Sequence, residues 1–175
     1  MGRSSRLPMP PMPTLPTPVR CTTSSPLGPI TLAARDGALV GLWFDAQQHF
    51  PTLAHWREDA THPVLRKAVA QLQEYFAGTR CSFDVPLDLS GGSAFAQRVW
   101  RALLSIGPGS TSSYRAISAK IGQPNAVRAV GGAIGRNPIS IIVPCHRVLG
   151  ADGSLTGYAG GLERKAALLA LERPL

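Results

Sequence analysis

A thiol and an imidazole stand side by side within residues 141–148, which read IIVPCHRV. A cysteine thiolate is a strong nucleophile, and a nearby base or cation brings the thiol pKa down from about 8.5 toward neutral pH. Cys145 and His146 could therefore be a nucleophile and its base. Neighbours in sequence need not face each other, so a second interpretation stays open, in which Cys145 packs as a small apolar residue.

The residues before the thiol predict how it is held. Ile141, Ile142 and Val143 are β-branched in succession, a pattern typical of a short buried strand. Pro144 has a fixed φ and no backbone N–H, so the strand must end there. The sequence therefore predicts a reactive side chain at the end of a rigid strand.

Composition limits the classes of protein to which the chain can belong. Of its 175 residues, 44% are hydrophobic and 16% are charged, as in a globular protein. Cys21, Cys81 and Cys145 are far apart and odd in number. They match no disulfide framework, paired redox motif or zinc knuckle, and they favour a reducing compartment, so we expect a cytoplasmic protein.

Basic charge is concentrated in the second half of the chain. Residues 1–89 hold eight Lys or Arg against seven Asp or Glu, a net of +1, and residues 90–175 hold ten against three, a net of +7. This balance predicts an acidic partner for the half that contains Cys145. No stretch approaches the roughly 18 consecutive apolar residues of a membrane span, so no membrane partner is expected.

The chain is expected to divide into a leader and two domains. Residues 1–18 hold six of the sixteen prolines and predict a disordered, extended leader. Residues 19–89 predict a small domain of strands and a helix. Residues 90–93, SGGS, are the expected junction, so the second domain, residues 90–175, begins there.

The first domain has clear turn and helix signals but no catalytic constellation. A hairpin is predicted to turn at Asp36 and Gly37, and a helix is predicted to begin after Thr61 and to stop at Gly78. The domain also contains three loop histidines whose spacing matches no zinc signature: His49, His55 and His62. We therefore expect no metal site.

The second domain is predicted to contain a helix-turn-helix. Two short helices, near residues 114–121 and at residues 126–134, are joined by a glycine-containing turn in a basic region. Gly131 and Gly132 lie inside the second helix, where each costs about 1 kcal/mol relative to alanine. Close approach of another backbone would explain them, and it could come from a neighbouring helix or from a nucleic-acid strand.

The C-terminal segment supplies a glycine-rich loop and a carboxylate. Residues 157–161, GYAGG, lack the pattern of a phosphate-binding loop, so no nucleotide cofactor is predicted. The last helix, residues 162–171, is predicted to turn four side chains inward: Leu162, Ala166, Leu169 and Ala170. Glu172 at its C-terminal end opposes the helix dipole and therefore needs a partner, either an arginine or His146.

Several of these segments together resemble one protein family. They are Tyr114, NAVRAVG at 125–131, NPI at 137–139, PCHRV at 144–148, GY at 157–158 and Glu172. This set is similar to the methylated-DNA–protein-cysteine methyltransferases, which repair 6-O-alkylguanine directly, and the resemblance covers nearly all of residues 19–175. It implies an α+β fold, with a small ribonuclease-H-like N-terminal domain of mainly structural role and a mostly helical, winged helix-turn-helix C-terminal domain.

The resemblance implies a catalytic role for four residues. Cys145 would attack the alkyl carbon of a flipped 6-O-alkylguanine, and His146 would take the thiol proton through a water molecule. Glu172 would orient that imidazole, and Asn137 would form hydrogen bonds around the turn and the thiol. The thioether product is not reversed, so the protein would act once, as a suicide transferase without a cofactor.

The resemblance also implies how double-stranded DNA is bound. The helix at 126–134 would enter the minor groove, where Ala129, Gly131 and Gly132 permit close approach. Arg128 would fill the space left by the flipped base. Tyr114 would crowd the phosphate of the target nucleotide and so favour the rotation of that nucleotide out of the helix. Four residues would line the base pocket: Val148, Tyr158, Ala159 and Gly160. Ala159 stands where some relatives offer a hydroxyl. We expect a monomer, with cooperative binding along DNA left open.

Two other classes of protein share parts of the pattern. One is a DNA-damage binder of the same fold without transfer activity, but the related binders lack the cysteine that is present here. The other is a winged-helix regulator that uses Cys145 as a sensor. A regulator would need a further domain or an effector segment, for which we expect no room in the chain.

Overall fold

The computed structural model describes residues 6–11 and 15–173. In the described part of the leader, residues 6–11 and 15–18 form neither helix nor strand. The rest of the predicted leader and the last two residues of the chain lie outside the described residues. No helix of the described chain is long and apolar enough to cross a membrane.

A four-stranded sheet and one helix form the first half of the fold. The strands are β1 (Val19–Thr23), β2 (Ile30–Arg35), β3 (Ala38–Phe44) and β4 (Arg57–Glu58), in the order β3-β2-β1-β4. β2 pairs antiparallel with β1 and β3, whereas β4 runs parallel to β1. The β2–β3 hairpin turns at Asp36, which has a φ of 54°, and Gly37, as predicted.

Helix α1 (Pro63–Phe76) packs on this sheet through its predicted apolar face. Its start differs from the prediction by one residue: His62, not Thr61, is the N-cap, and its Nδ1 accepts a hydrogen bond of 3.3 Å from the Val64 N–H. Thr61 instead donates to Asp59. Gly78, with a φ of 79°, follows the C-terminal end as predicted.

Four helices build the second half. They are α2 (Ala94–Leu103), α3 (Tyr114–Lys120), α4 (Val127–Gly135) and α5 (Leu162–Glu172). The Ser113 side chain caps α3, and Gly122, with a φ of 75°, turns the chain between α3 and α4. Two short strands, β5 (Ser112–Ser113) and β6 (Val148–Leu149), pair in parallel beside the helices.

The predicted strand at residues 141–143 is wrong. Ile141 has a φ of 72°, so the backbone reverses, and the N–H of Val143 donates to the carbonyl of Ile139 at 3.0 Å. The side chains are buried in succession because the turn lies inside the protein core, not because they form a strand. Cys145 follows in a single 3₁₀ turn, Cys145–Arg147. A buried turn therefore holds the thiol.

The two halves meet at this turn. The N–H of Leu42, in β3, donates to the Pro138 carbonyl at 2.9 Å, and the N–H of Ser140 donates to the Leu42 carbonyl at 3.0 Å. Ile139 thereby forms a bridge with the edge strand of the N-terminal sheet. The position of the turn before Cys145 thus depends on both halves of the chain.

Candidate active site and candidate nucleic-acid interface

Cys145 lies at the bottom of the site and is only 5% exposed. Burial raises the pKa of its thiol, and the Asn137 side chain and the Lys165 ammonium only partly oppose this. Burial thus outweighs the neighbouring charge, so the thiol pKa lies above its ordinary value. The thiol is protonated at neutral pH, and reaction requires a base.

Asn137 fixes the turn that carries the thiol. Its side-chain N–H donates to the Val143 carbonyl at 2.7 Å, and its side-chain oxygen accepts from the Ile139 N–H at 3.0 Å. Asn137 is itself 4% exposed, so these bonds are shielded from water. One amide thus holds both sides of the turn before Cys145.

Glu172 is the centre of a buried network. Its Oε1 accepts from His146 Nε2 at 2.7 Å, from the Tyr75 hydroxyl at 2.7 Å and from Arg147 Nη2 at 2.9 Å. Arg147 Nε donates to Oε2 at 2.9 Å, which completes a bidentate pair. The predicted choice between an arginine and His146 as the partner was too narrow, since Glu172 binds both.

This network sets the protonation states of Glu172 and His146. Burial alone would raise the pKa of Glu172, but the bonds from His146, Arg147 and Tyr75 lower that pKa from 4.5 to about 2. Burial lowers the pKa of His146, and Glu172 only partly opposes this. The imidazole is therefore neutral at pH 7 and, since a carboxylate only accepts, carries its proton on Nε2.

His146 Nδ1 is then the free base of the site. It is buried, and no group of the described chain forms a hydrogen bond with it. A neutral imidazole whose other nitrogen is bound to a carboxylate has a lone pair at Nδ1 that can accept a proton. The imidazole and the carboxylate are paired as a base and its orienting group, and the Cys145 thiol belongs to the residue just before His146.

Lys165 is a site residue that the sequence patterns did not reveal. It is fully buried on α5, and its Nζ donates to the carbonyls of Thr156 at 2.8 Å and Gly157 at 3.1 Å. The predicted inward face of α5 is wrong: Leu162 is 47% exposed, while Lys165 and Leu168 are buried. A lysine is normally assigned to the solvent face, so helical periodicity could not find it.

Residues 156–161 are called the substrate loop because three of them, Tyr158, Ala159 and Gly160, are predicted to line the base pocket; Tyr158 lies near the Cys145 thiol. The Tyr158 hydroxyl is buried without a hydrogen-bond partner in the described chain, and burial together with the neighbouring Cys145 raises its pKa. A Cβ on Gly160 would come within 2.8 Å of the Tyr158 ring and 3.1 Å of the Phe44 ring, so only glycine fits there. Val148 is fully buried in β6.

The predicted DNA-contacting residues of α4 are on its open face. Arg128, Ala129 and Gly132 are exposed, and Gly131 is half-buried. A Cβ on Gly132 would meet no atom within 4 Å, and one on Gly131 would meet Tyr114 only at an ordinary 3.7 Å. Packing within the described protein therefore does not explain why these helical positions are glycines.

Tyr114 connects the open face of α4 with the substrate loop. Its hydroxyl donates to the Thr156 carbonyl at 3.1 Å, and its ring is the group nearest to Gly131. Within the ranges that the structure describes, no group of three or more His, Cys, Asp or Glu side chains could hold a metal ion.

The fold and the site define a class of protein. Its members join a ribonuclease-like domain to a helical DNA-binding domain that carries a buried nucleophilic cysteine. Two family models match the chain: the ribonuclease-like domain of 6-O-methylguanine DNA methyltransferase at residues 19–89, and the DNA binding domain of the same enzyme at residues 94–174. The chain belongs to the 6-O-methylguanine DNA methyltransferase family.

Individual relatives agree with this assignment. A methylated-DNA–protein-cysteine methyltransferase of Mycobacterium tuberculosis is 53% identical over 152 residues, which cover 87% of this chain and 90% of the relative. One of Haemophilus influenzae is 42% identical over 150 residues, covering 85% and 83%. The crystal structure of Mycobacterium tuberculosis OGT in complex with DNA has a TM-score of 0.80 at 53% identity, covering 87% of this chain and 91% of that one.

Proposed function

We propose that this protein repairs DNA by direct reversal of alkylation. It turns a 6-O-alkylguanine, chiefly 6-O-methylguanine, out of the duplex and transfers the alkyl group irreversibly to its own Cys145. The observation that carries the proposal is the buried Cys145 thiol, adjacent in the chain to a neutral imidazole whose Nε2 is bound to Glu172. The names of the relatives and the DNA complex of the similar structure support the same activity and partner.

The transfer moves one proton and one alkyl group. Cys145 gives its proton to His146 Nδ1, directly or through one water molecule, and the resulting thiolate attacks the alkyl carbon. A sulfur–carbon bond forms as the carbon–oxygen bond breaks, and the electron pair leaves with the guanine, which takes up the proton that the imidazolium releases, directly or through water. Glu172 stabilises the imidazolium that forms transiently. The thioether is stable, so each molecule acts once.

The substrate loop and β6 provide the base pocket. Val148, Tyr158, Ala159 and Gly160 line it, and the absence of a side chain at Gly160 leaves room for the Tyr158 ring. Ala159 has no side-chain hydroxyl to offer to the leaving oxygen, so a backbone N–H group or another donor must bind that oxygen. Asn137 holds the turn so that the sulfur faces the pocket.

The open face of α4 binds the minor groove. Ala129, Gly131 and Gly132 let the helix backbone approach the DNA closely, and Arg128 occupies the space left in the base stack. Unstacking and unpairing a base cost about a few kcal/mol, which the inserted arginine offsets. Tyr114 presses on the phosphate of the target nucleotide and favours its rotation.

We expect Gly132→Leu to raise protein stability and to weaken DNA binding. A Cβ at this open position meets no protein atom within 4 Å, and leucine favours a helix over glycine by up to about 1 kcal/mol. In the groove, a clash of only about 1.4 kcal/mol would lower the affinity tenfold. Thermal melting and duplex titration measure the two effects, and transfer from free 6-O-benzylguanine should stay unchanged. Unaltered DNA affinity would contradict the groove assignment.

The proposed function is tested by mass spectrometry of the protein after exposure to DNA that contains 6-O-methylguanine. The intact mass should increase by one methyl group per molecule, and the modified peptide should contain Cys145. Unmodified DNA is the control. Tight binding of the lesion without any gain in mass would show a damage binder instead of a transferase.

The remaining assignments concern the whole chain. We assign residues 19–89 to a ribonuclease-H-like domain, residues 90–175 to the catalytic domain and residues 1–18 to a leader; the bounds of the two family matches support the first two. The protein is a cytoplasmic monomer without a cofactor. Free Cys21, Cys81 and Cys145 support a reducing compartment.

A further inference from the structure

Arg164 connects the substrate loop with the N-terminal sheet. From its place on α5, Nε donates to the Leu27 carbonyl at 3.0 Å, and Nη1 donates to the carbonyls of Asp45 at 3.1 Å and Gly160 at 3.3 Å. The guanidinium also lies 4.8 Å from the centre of the Phe44 ring, within the range of a cation–π contact. One side chain thus bonds to two turns of the first domain and to the wall of the base pocket.

The bond from Arg164 to Gly160 is one of several that hold the substrate loop in place. Lys165, the next residue on α5, holds the opposite end of the loop through the Thr156 and Gly157 carbonyls. Between these ends, the Gln48 N–H of the first domain donates to the Ala159 carbonyl at 2.9 Å. The loop that carries Tyr158 is therefore fixed at both ends and in the middle, and residues of the N-terminal half take part in the attachments at Gly160 and Ala159.

The segment of the first domain that receives Arg164 is itself rigid. The buried Gln47 side chain accepts from the Phe44 N–H at 2.8 Å and donates to the Gln48 carbonyl at 3.1 Å. The turn after β3 is therefore braced internally. The Phe44 ring also limits the space at Gly160, as a Cβ there would approach it to 3.1 Å.

We propose that Arg164 is a positioning residue, through which the N-terminal domain fixes the pocket wall that grips the flipped base. The proposal rests on the proposed function and adds to it a role of the first domain in substrate fit. A purely structural arginine would join the domains with no effect on the pocket. Arg164 instead bonds to Gly160, two residues after Tyr158, so loss of its donors frees the wall while Cys145, His146 and Glu172 keep their own bonds.

The test is Arg164→Met, which keeps the apolar stem and removes every donor. The rate of transfer from free 6-O-benzylguanine, which bypasses the DNA groove, is measured against benzylguanine concentration. We expect the half-saturating concentration to rise about five- to tenfold, as for the loss of one or two hydrogen bonds. The limiting rate should change less than about twofold, because the thiol, base and carboxylate are untouched.

Arg20→Met is the matched control, since Arg20 likewise donates to a carbonyl and pairs with a carboxylate inside the N-terminal half, at Trp56 and Glu58. Arg20→Met should leave both the half-saturating benzylguanine concentration and the limiting rate unchanged. If Arg164→Met does not fold, Arg164→Lys is assayed instead. A half-saturating benzylguanine concentration at least about twofold above that of the wild type then supports the proposal. An unchanged concentration in the folded variant overturns it. Wild-type protein without any transfer would refute the proposed function instead, so the two failures are distinct.

Discussion

Cys145→Ser should abolish alkyl transfer and leave lesion binding intact. A serine hydroxyl is far less acidic than a thiol and is a weak nucleophile without strong activation. The neutral His146 of this site is too weak a base to ionise it. We expect the single-turnover rate on 6-O-methylguanine DNA to fall by at least about 10³-fold. Quenched-flow transfer assays measure the rate, and fluorescence titration with the same duplex measures binding.

Cys21→Ser is the matched control for that experiment. Cys21 is also a free, buried thiol, 7% exposed, but it lies in β1 of the N-terminal sheet. Both variants place a hydroxyl in a buried position, so both carry a similar cost in stability. Only Cys145→Ser should lose transfer. Retained transfer in Cys145→Ser would mean that another side chain accepts the alkyl group.

Local signals predicted most of the fold because local physics determines those parts. The β2–β3 hairpin follows from Asp36, which adopts a positive φ, and from Gly37 beside it, and the end of α1 follows from Gly78. The prediction of a strand at residues 141–143 failed because tertiary packing, not local physics, determines that segment. A run of β-branched residues reports burial, and here the burial comes from a turn packed between both halves of the chain.

The chemistry of the site was predicted in part. Cys145, His146 and Glu172 came from a motif and from an electrostatic misfit at a helix end, and the structure brings the last two together. Tyr75 could not be predicted as a member, because its bond to Glu172 joins residues 97 apart in sequence. Lys165 was missed because only tertiary structure shows that its ammonium has buried carbonyl partners.

Glu172→Gln should destabilise the protein and also slow transfer. The amide cannot neutralise Arg147, whose side chain is 7% exposed, so a cation stays buried without a counter-charge. Breaking a buried pair in this way costs about 3–5 kcal/mol. For a chain of this length, that loss corresponds to a melting temperature lower by roughly 10 °C. Calorimetry of the two proteins at neutral pH measures the difference.

The effect on transfer arises separately, through His146. Glu172 raises the pKa of that imidazole, so its replacement lowers the pKa further and makes Nδ1 a weaker base. Since general acid–base catalysis contributes about 10²–10⁴-fold, we expect a transfer rate at least about 100-fold lower. The assay is run well below the melting temperature of the variant.

Acid sensitivity gives a further readout of the same substitution. The pKa of Glu172 is lowered on folding, from 4.5 to about 2, so its contribution to stability is complete above pH 4.5 and is lost as the pH falls toward 2. Glutamine does not titrate. The stability difference between wild type and Glu172→Gln should therefore be largest at neutral pH and shrink as the pH falls below 4.5. A difference that stays constant with pH would contradict the assigned ionisation.

A double variant separates the two roles of Glu172. In Arg147→Met/Glu172→Gln the unpaired cation is gone, so much of the lost stability should return. The transfer rate should stay low, because His146 still lacks its carboxylate. Glu74→Gln is the surface control: its pair with Arg80 is 48% exposed on the glutamate side, and its loss should cost under about 1 kcal/mol. Recovery of transfer in the double variant would show that Glu172 acts through stability alone and not through His146.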